Sequence, residues 1–178
     1  MPRAVDELSL AEEVCLALIA EGPRHGWSLV RELAPDGEIG RVWSLSRPLT
    51  YRAVDGLRER GMVEHRGAEA GAGPMRQVLS VTPKGRRTVD RWLTTPVAHV
   101  RDVRTVLLLK LVLGERRGRD PRPLLQAQHL EFEPHVAALR AAGRRAGADA
   151  VDRWRYESSL AVMRFLDGAL RDAERRAH

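Results

Sequence analysis

The feature that most constrains this chain is a glycine-rich nonapeptide between two short strand-like runs. Met62-Val-Glu-His-Arg66 and Arg76-Gln-Val-Leu-Ser-Val-Thr82 carry the β-branched and apolar residues of strands. Gly67-Ala-Glu-Ala-Gly-Ala-Gly-Pro-Met75 between them is too rich in glycine for regular structure. The two runs therefore read as a hairpin with a long tip. What precedes them is helical. Ser9 to Ala20 carries Leu10, Val14 and Leu18 at four-residue intervals, with Ser9 and Glu12 spaced as a capping box. Gly22-Pro23 ends that segment, and a short helix is expected over 26–34, with Trp27, Val30 and Leu33 on one side. Pro35-Asp36-Gly37 is a turn.

A third helix is expected from Ser46 to Gly61, with Ser46 as its cap, Pro48 in its first turn and Gly61 at its end. A buried stripe of Leu49, Ala53 and Leu57 would leave Arg47, Tyr51, Asp55 and Arg58 on the opposite side. Three helices followed by a hairpin is the order of a winged helix-turn-helix, in which the third helix enters the DNA major groove. The charge distribution agrees. Residues 1–40 hold three arginines against eight acids, a net −5, whereas 41–91 hold eleven basic residues against five acids, a net +6. An acidic scaffold followed by a basic reading surface suits a polyanionic partner, although ordinary surface charge is the plainer reading.

Thr82-Pro83 starts a further helix carrying Val89, Trp92 and Leu93 and ending at Pro96. An apolar helix over 103–113, a helical stretch over 124–145 that Pro134 should kink or split, and a long helix from Asp149 to Ala173 complete the chain. The expected architecture is mainly α: a winged helix-turn-helix head with a small hairpin wing over 1–96, then a helical dimerisation and effector domain over 97–178.

Three segments resemble the PadR family of bacterial transcriptional regulators. They are Leu16-Ala-Leu-Ile-Ala-Glu-Gly-Pro-Arg-His-Gly-Trp-Ser-Leu-Val-Arg-Glu-Leu33, Pro48-Leu-Thr-Tyr-Arg-Ala-Val-Asp-Gly-Leu-Arg-Glu-Arg-Gly-Met-Val63, and Gly73-Pro-Met-Arg-Gln-Val-Leu-Ser-Val-Thr-Pro-Lys-Gly85, followed by Trp92-Leu93. Trp27 stands where the family usually has tyrosine. The wing carries Arg76-Gln77 and a tip without Lys or Arg, so its phosphate contacts would rest on Arg66 and Arg76. The resemblance implies a homodimeric regulator whose C-terminal helices form the interface. For some members it implies a small aromatic or drug-like effector.

The expected DNA-contacting residues are Ser46, Arg47, Thr50, Tyr51, Arg52, Arg58, Arg66 and Arg76 on a pseudo-palindromic double-stranded operator. Thr50 stands at the helix start, where a hydroxyl can meet a phosphate. Trp92, Trp154 and Phe165 are the candidate effector contacts, with core packing or a dimer seam as the alternative. Cys15 sits among apolar positions and reads as a buried, inert thiol. His129 and His135 are six residues apart, the wrong spacing for a shared helical metal face. No phosphate loop, nucleophile elbow or zincin motif is present, so neither an enzyme nor a cofactor is expected. The absence of a long apolar run leads to a cytoplasmic expectation without membrane contact. The function expected is a homodimeric repressor released by an effector. The alternative is a winged-helix interaction adaptor that does not bind DNA.

Overall fold

The computed structural model describes residues 7–69, 76–143 and 149–176. It divides into two compact units, 1–93 and 94–178. In the first, α1 (Leu10–Ile19) is followed by a two-residue strand β1 (Arg24–His25), α2 (Gly26–Glu32), α3 (Arg47–Glu59), β2 (Val63–Glu69), β3 (Arg76–Val81) and α4 (Pro83–Thr94). α1 starts where the capping box puts it: Glu12 N–H donates to Ser9 Oγ at 3.3 Å and Ser9 N–H to Glu12 Oε2 at 2.7 Å. Thr82 Oγ1 likewise accepts from Gly85 N–H at 3.1 Å and starts α4.

The strands form one antiparallel sheet in the order β1-β3-β2. Arg24 pairs with Leu79 and His25 with Val78, while β2 meets β3 from Val63–Val81 to Glu69–Arg76 with a bulge between His65 and Ala68. β2 thus runs to Glu69, three residues into the stretch expected to be irregular. Residues 70–75 of the tip lie outside the described residues. The head core consists of Val14, Leu18, Leu29, Leu33, Leu57, Leu79, Val89, Trp92 and other residues almost without exposure.

Two core assignments from the sequence are corrected. On α3 the buried residues are Thr50, Ala53, Val54 and Leu57, while Leu49 is 45% exposed. The buried stripe is rotated by roughly 50° from the expected one, at 100° per residue. On α2 the seam is Leu29 and Leu33, one helical turn apart, and Trp27, roughly 160° away from Leu29, is 49% exposed.

The second unit contains a 3₁₀ turn (Val100–Asp102), a π-helical turn (Val103–Leu107), α5 (Leu108–Arg116), α6 (Arg122–Gly143) and α7 (Ala150–Arg176). The expected single helix over 103–113 thus begins as a π turn. α6 is assigned as helix through Pro134 and is not split there. Val97, Val103, Leu107, Leu124, Leu125, Phe132 and Leu166 form the core of this unit. Gln128, fully buried, closes it from within. Its Oε1 accepts from Val97 N–H at 2.7 Å and its Nε2 donates to Val97 O at 2.9 Å.

Candidate nucleic-acid interface

α3 is the element on which the proposed reading surface stands or falls. Ser46 occupies its N-cap position in an extended conformation, but its hydroxyl makes no capping bond and remains exposed. Arg47, Tyr51, Arg52 and Arg58 are also exposed. The Arg47 guanidinium carbon lies 5.8 Å from the centre of the Tyr51 ring, a cation–π distance. Arg58 meets Asp55 at 3.5 Å, a loose pair whose members are both largely in solvent. Such a pair contributes little to stability and leaves the guanidinium able to exchange partners.

Thr50 departs from the expected set. It is fully buried, and its Oγ1 donates to Ser46 O at 3.0 Å. The hydroxyl's hydrogen bond is made inside the helix and the methyl packs inward, so Thr50 offers a phosphate nothing. Arg66 is exposed on β2. Arg76 begins β3, and its side chain lies outside the described residues. Lys84, Arg86, Arg87 and Arg91 are exposed along α4, and Lys84 Nζ donates to Arg60 O at 2.9 Å.

The position of α3 is fixed from both ends. Arg60 Nη1 donates to Glu12 Oε1 at 2.8 Å and to Gly56 O at 3.3 Å, tying the end of α3 to the start of α1. Near its start, the Tyr51 ring packs on Gly26, where a Cβ would stand 3.0 Å from Tyr51 Cε1. Only a residue without a side chain gives the ring this seat freely.

The candidate effector residues do not converge. Trp92 is buried in the head core at 9% exposure. Trp154 and Phe165 lie on α7, eleven residues apart, which is about 16 Å along the axis and nearly the same face. They are exposed by 73% and 39% respectively. Phe132 on α6 is a core residue at 1%. Sequence reasoning also missed β1. Two residues between Gly22-Pro23 and Gly26 are too few to show a period, so no pattern signalled it.

Among the described residues no group of three or more His, Cys, Asp or Glu side chains is placed to hold a metal ion. No helix there is long and apolar enough to cross a membrane. Burial, and then the nearby Glu12 carboxylate, push the Cys15 thiol up to about 12.

Three helices, a three-stranded wing and an exposed arginine-bearing third helix define a winged helix-turn-helix head. Residues 15–91 match the Transcriptional regulator PadR-like family. The head is similar to the PadR-like domain, and that family is one of transcriptional regulators rather than enzymes. Bacillus subtilis PadR in complex with operator DNA is 17% identical, covering 92% of this chain and 99% of its own, with a TM-score of 0.48. The same protein in complex with p-coumaric acid gives 16%, 93%, 99% and 0.45 in the same order. The Vibrio cholerae virulence activator AphA gives 19%, 93%, 94% and 0.39. No curated protein sequence matches the chain.

Proposed function

We propose that this chain is a sequence-specific DNA-binding repressor that acts as a homodimer in the cytoplasm and is released by a small-molecule effector. The observation that carries the reading is the division of α3. Thr50, Ala53, Val54 and Leu57 anchor it, while Ser46, Arg47, Tyr51, Arg52 and Arg58 stand in solvent on a head that matches a family of transcriptional regulators. Arginines of this kind supply sequence-independent attraction to phosphates, and a few side chains of the helix read base edges. Arg66, exposed on β2, extends the basic surface onto the wing, and Arg76 at the start of β3 is assigned a further phosphate contact.

The dimer rests on α7. Val151, Trp154, Ala161 and Phe165 fall along one side of the helix and are all exposed in the single chain. Against a second copy, that stripe would leave water, with a two-fold axis suited to a pseudo-palindromic operator. Trp154 and Phe165 then become seam residues. An effector that prefers one dimer geometry would shift the separation of the two heads.

Genomic fragments captured by the purified full chain, sequenced and then titrated, test the reading. If ~6–10 phosphates are neutralised, affinity should drop ~10³–10⁵-fold between 50 and 200 mM salt. Capture of no fragment, or a flat salt response, overturns it in favour of an interaction adaptor.

A further inference from the structure

Four arginines stand on α3 or at its end, and three of them are engaged. Arg47 lies over the Tyr51 ring, Arg58 meets Asp55, and Arg60 is held by Glu12. Arg52 makes no hydrogen bond, ion pair or ring contact among the described residues. The rotation of the buried stripe decides which of them faces outward. Thr50, Ala53, Val54 and Leu57 average to one direction about the helix axis. At 100° per residue Arg52 stands roughly 150° from that direction, Tyr51 roughly 110°, Arg58 roughly 90° and Arg47 roughly 70°. Tyr51 and Arg58 accordingly look along the flank of the helix. There they line a cleft of about 290 Å³ with His25, His65 and Leu79 at the base of the wing. Arg52 is the arginine of α3 that points away from the core.

Charge sets which end of the helix a duplex can accept. Asp55 and Glu59, both exposed, continue the outward face beyond Arg52 and repel phosphates. The first two turns carry Pro48 and Arg52 on that face and no acid. The start of the helix is therefore the end that enters, and in helix-turn-helix proteins that end meets base edges.

We infer that Arg52 is the residue of α3 that reads a base, donating to O6 and N7 of one guanine in each half-site, while Arg47 and Arg58 hold phosphates along the wing flank. This deepens the DNA-binding reading above and rests on it. A guanidinium presents its donors as a planar fork, and the major-groove edge of guanine offers two acceptors side by side. Adenine puts an amino donor where guanine has O6, and neither pyrimidine offers such a pair. With no partner in its own protein, Arg52 has no ion pair to break on entering the groove. Arg58 would first have to leave Asp55.

The test uses the full-length protein and operators taken from the captured genomic fragments. Each guanine in turn is replaced by 7-deazaguanine, which keeps O6 and the base pair but lacks the N7 acceptor. Wild-type affinity should fall about fivefold or more at one guanine per half-site, and Arg52→Ala should be insensitive to the same replacement. Selection from a randomised half-site should return guanine there for the wild type and for Arg58→Ala. Arg52→Ala should lose that preference and bind the native operator roughly 5–150-fold more weakly. Arg52→Lys keeps the charge without the fork, so it should retain the salt dependence and lose the guanine preference. All three side chains stand in solvent in the parent, so the thermal midpoints should match it.

Arg52→Ala weakening every sequence alike overturns the inference and makes the residue a phosphate contact. So does a 7-deazaguanine effect that persists in Arg52→Ala, or a guanine preference lost with Arg58→Ala instead. In each of those cases the protein still binds its operator, and the DNA-binding reading stands. Capture of no fragment by the wild-type chain overturns both.

Discussion

Glu12 and Arg60 stand forty-eight residues apart in sequence and are joined by a 2.8 Å hydrogen bond between Oε1 and Nη1. The other oxygen of Glu12 accepts from both Ser9 N–H and Ser9 Oγ at 2.7 Å. One carboxylate thus starts α1 and holds the end of α3. Gly56 has no side chain in the space that Glu12 occupies, since a Cβ there would lie 2.6 Å from Oε1.

Glu12→Ala keeps the Ser9 cap but removes the reciprocal half of the capping box and the partner of a guanidinium together. Caps contribute ~1 kcal/mol and hydrogen bonds to charged groups ~1.5–3 kcal/mol. A loss of roughly 2–3 kcal/mol in urea unfolding is expected, allowing for the partly solvated Arg60. A variant as stable as the parent would show that the pair is ornamental.

Gln128→Leu should be worse than its conservative shape suggests. It strands the Val97 N–H and C=O inside the second unit, where each unsatisfied group costs ~1–3 kcal/mol. The expected loss is about 2–6 kcal/mol, read from the denaturation midpoint of that unit. Gln128→Glu keeps the acceptor for Val97 N–H, but when ionised it buries an unpaired charge against the Val97 carbonyl, so at neutral pH it should lose at least as much.

Alkaline unfolding reports on Cys15. Its thiol is fully buried and its pKa is raised from an ordinary 9.0 to about 12. Below pH 9 the thiol is protonated in both states and its contribution is complete. Between pH 9 and 12 the unfolded chain ionises first, so stability declines with rising pH, by up to ~1.4 kcal/mol per unit. Cys15→Ala, though less stable at neutral pH, should follow a flatter curve over that interval. The native protein at pH 8 should also leave a thiol reagent unconsumed until denaturant is added.

Replacing Tyr51 with Phe and, separately, Arg58 with Ala should weaken operator binding while leaving the thermal midpoint nearly unchanged, since both are exposed. A base-reading Arg58 costs ~1–3 kcal/mol and relaxes one position of the operator; a phosphate-contacting one weakens all sequences alike. Unaltered titrations for both would place the reading surface on another side of α3.

Trp154→Glu combined with Phe165→Glu puts charge on the exposed stripe of α7 without entering the core. Sedimentation should turn from dimer to monomer, and operator affinity should fall as each head binds a half-site alone. A double variant that still sediments as a dimer would put the interface on another element.

Much of the fold was legible because its boundaries are marked by chemistry that acts locally. Ser9 with Glu12, Thr82 with Pro83, and Gly61 each announce a helix end, and the structure has them in those roles. The rotation of α3 was not legible, because Leu49 is the more apolar residue and Thr50 the more polar. Hydropathy cannot register that the Thr50 hydroxyl bonds to the carbonyl four residues back, after which only its methyl needs a home. Trp27 misled in the same way. Its size suggested core, but Leu29 and Leu33 already fill the seam of a helix only seven residues long. The cleft depends on His65 and Leu79 meeting across strands, with His25 drawn in by the pairing of β1 with β3. Those contacts are set by register, which no single segment encodes.

β3 is paired on both sides, to β1 through Val78 and Leu79 and to β2 along most of its length. Length can therefore vary freely at only one end of the wing. Residues added between 69 and 76 extend the far end and leave the Leu79 pairings intact, so relatives can diversify there at little cost. Deleting one residue between Val78 and Val81 would turn the following side chains to the opposite face, uncoupling Arg24 and His25 from the sheet. Insertions recovered from a random library should accordingly gather at the tip and be absent from the base.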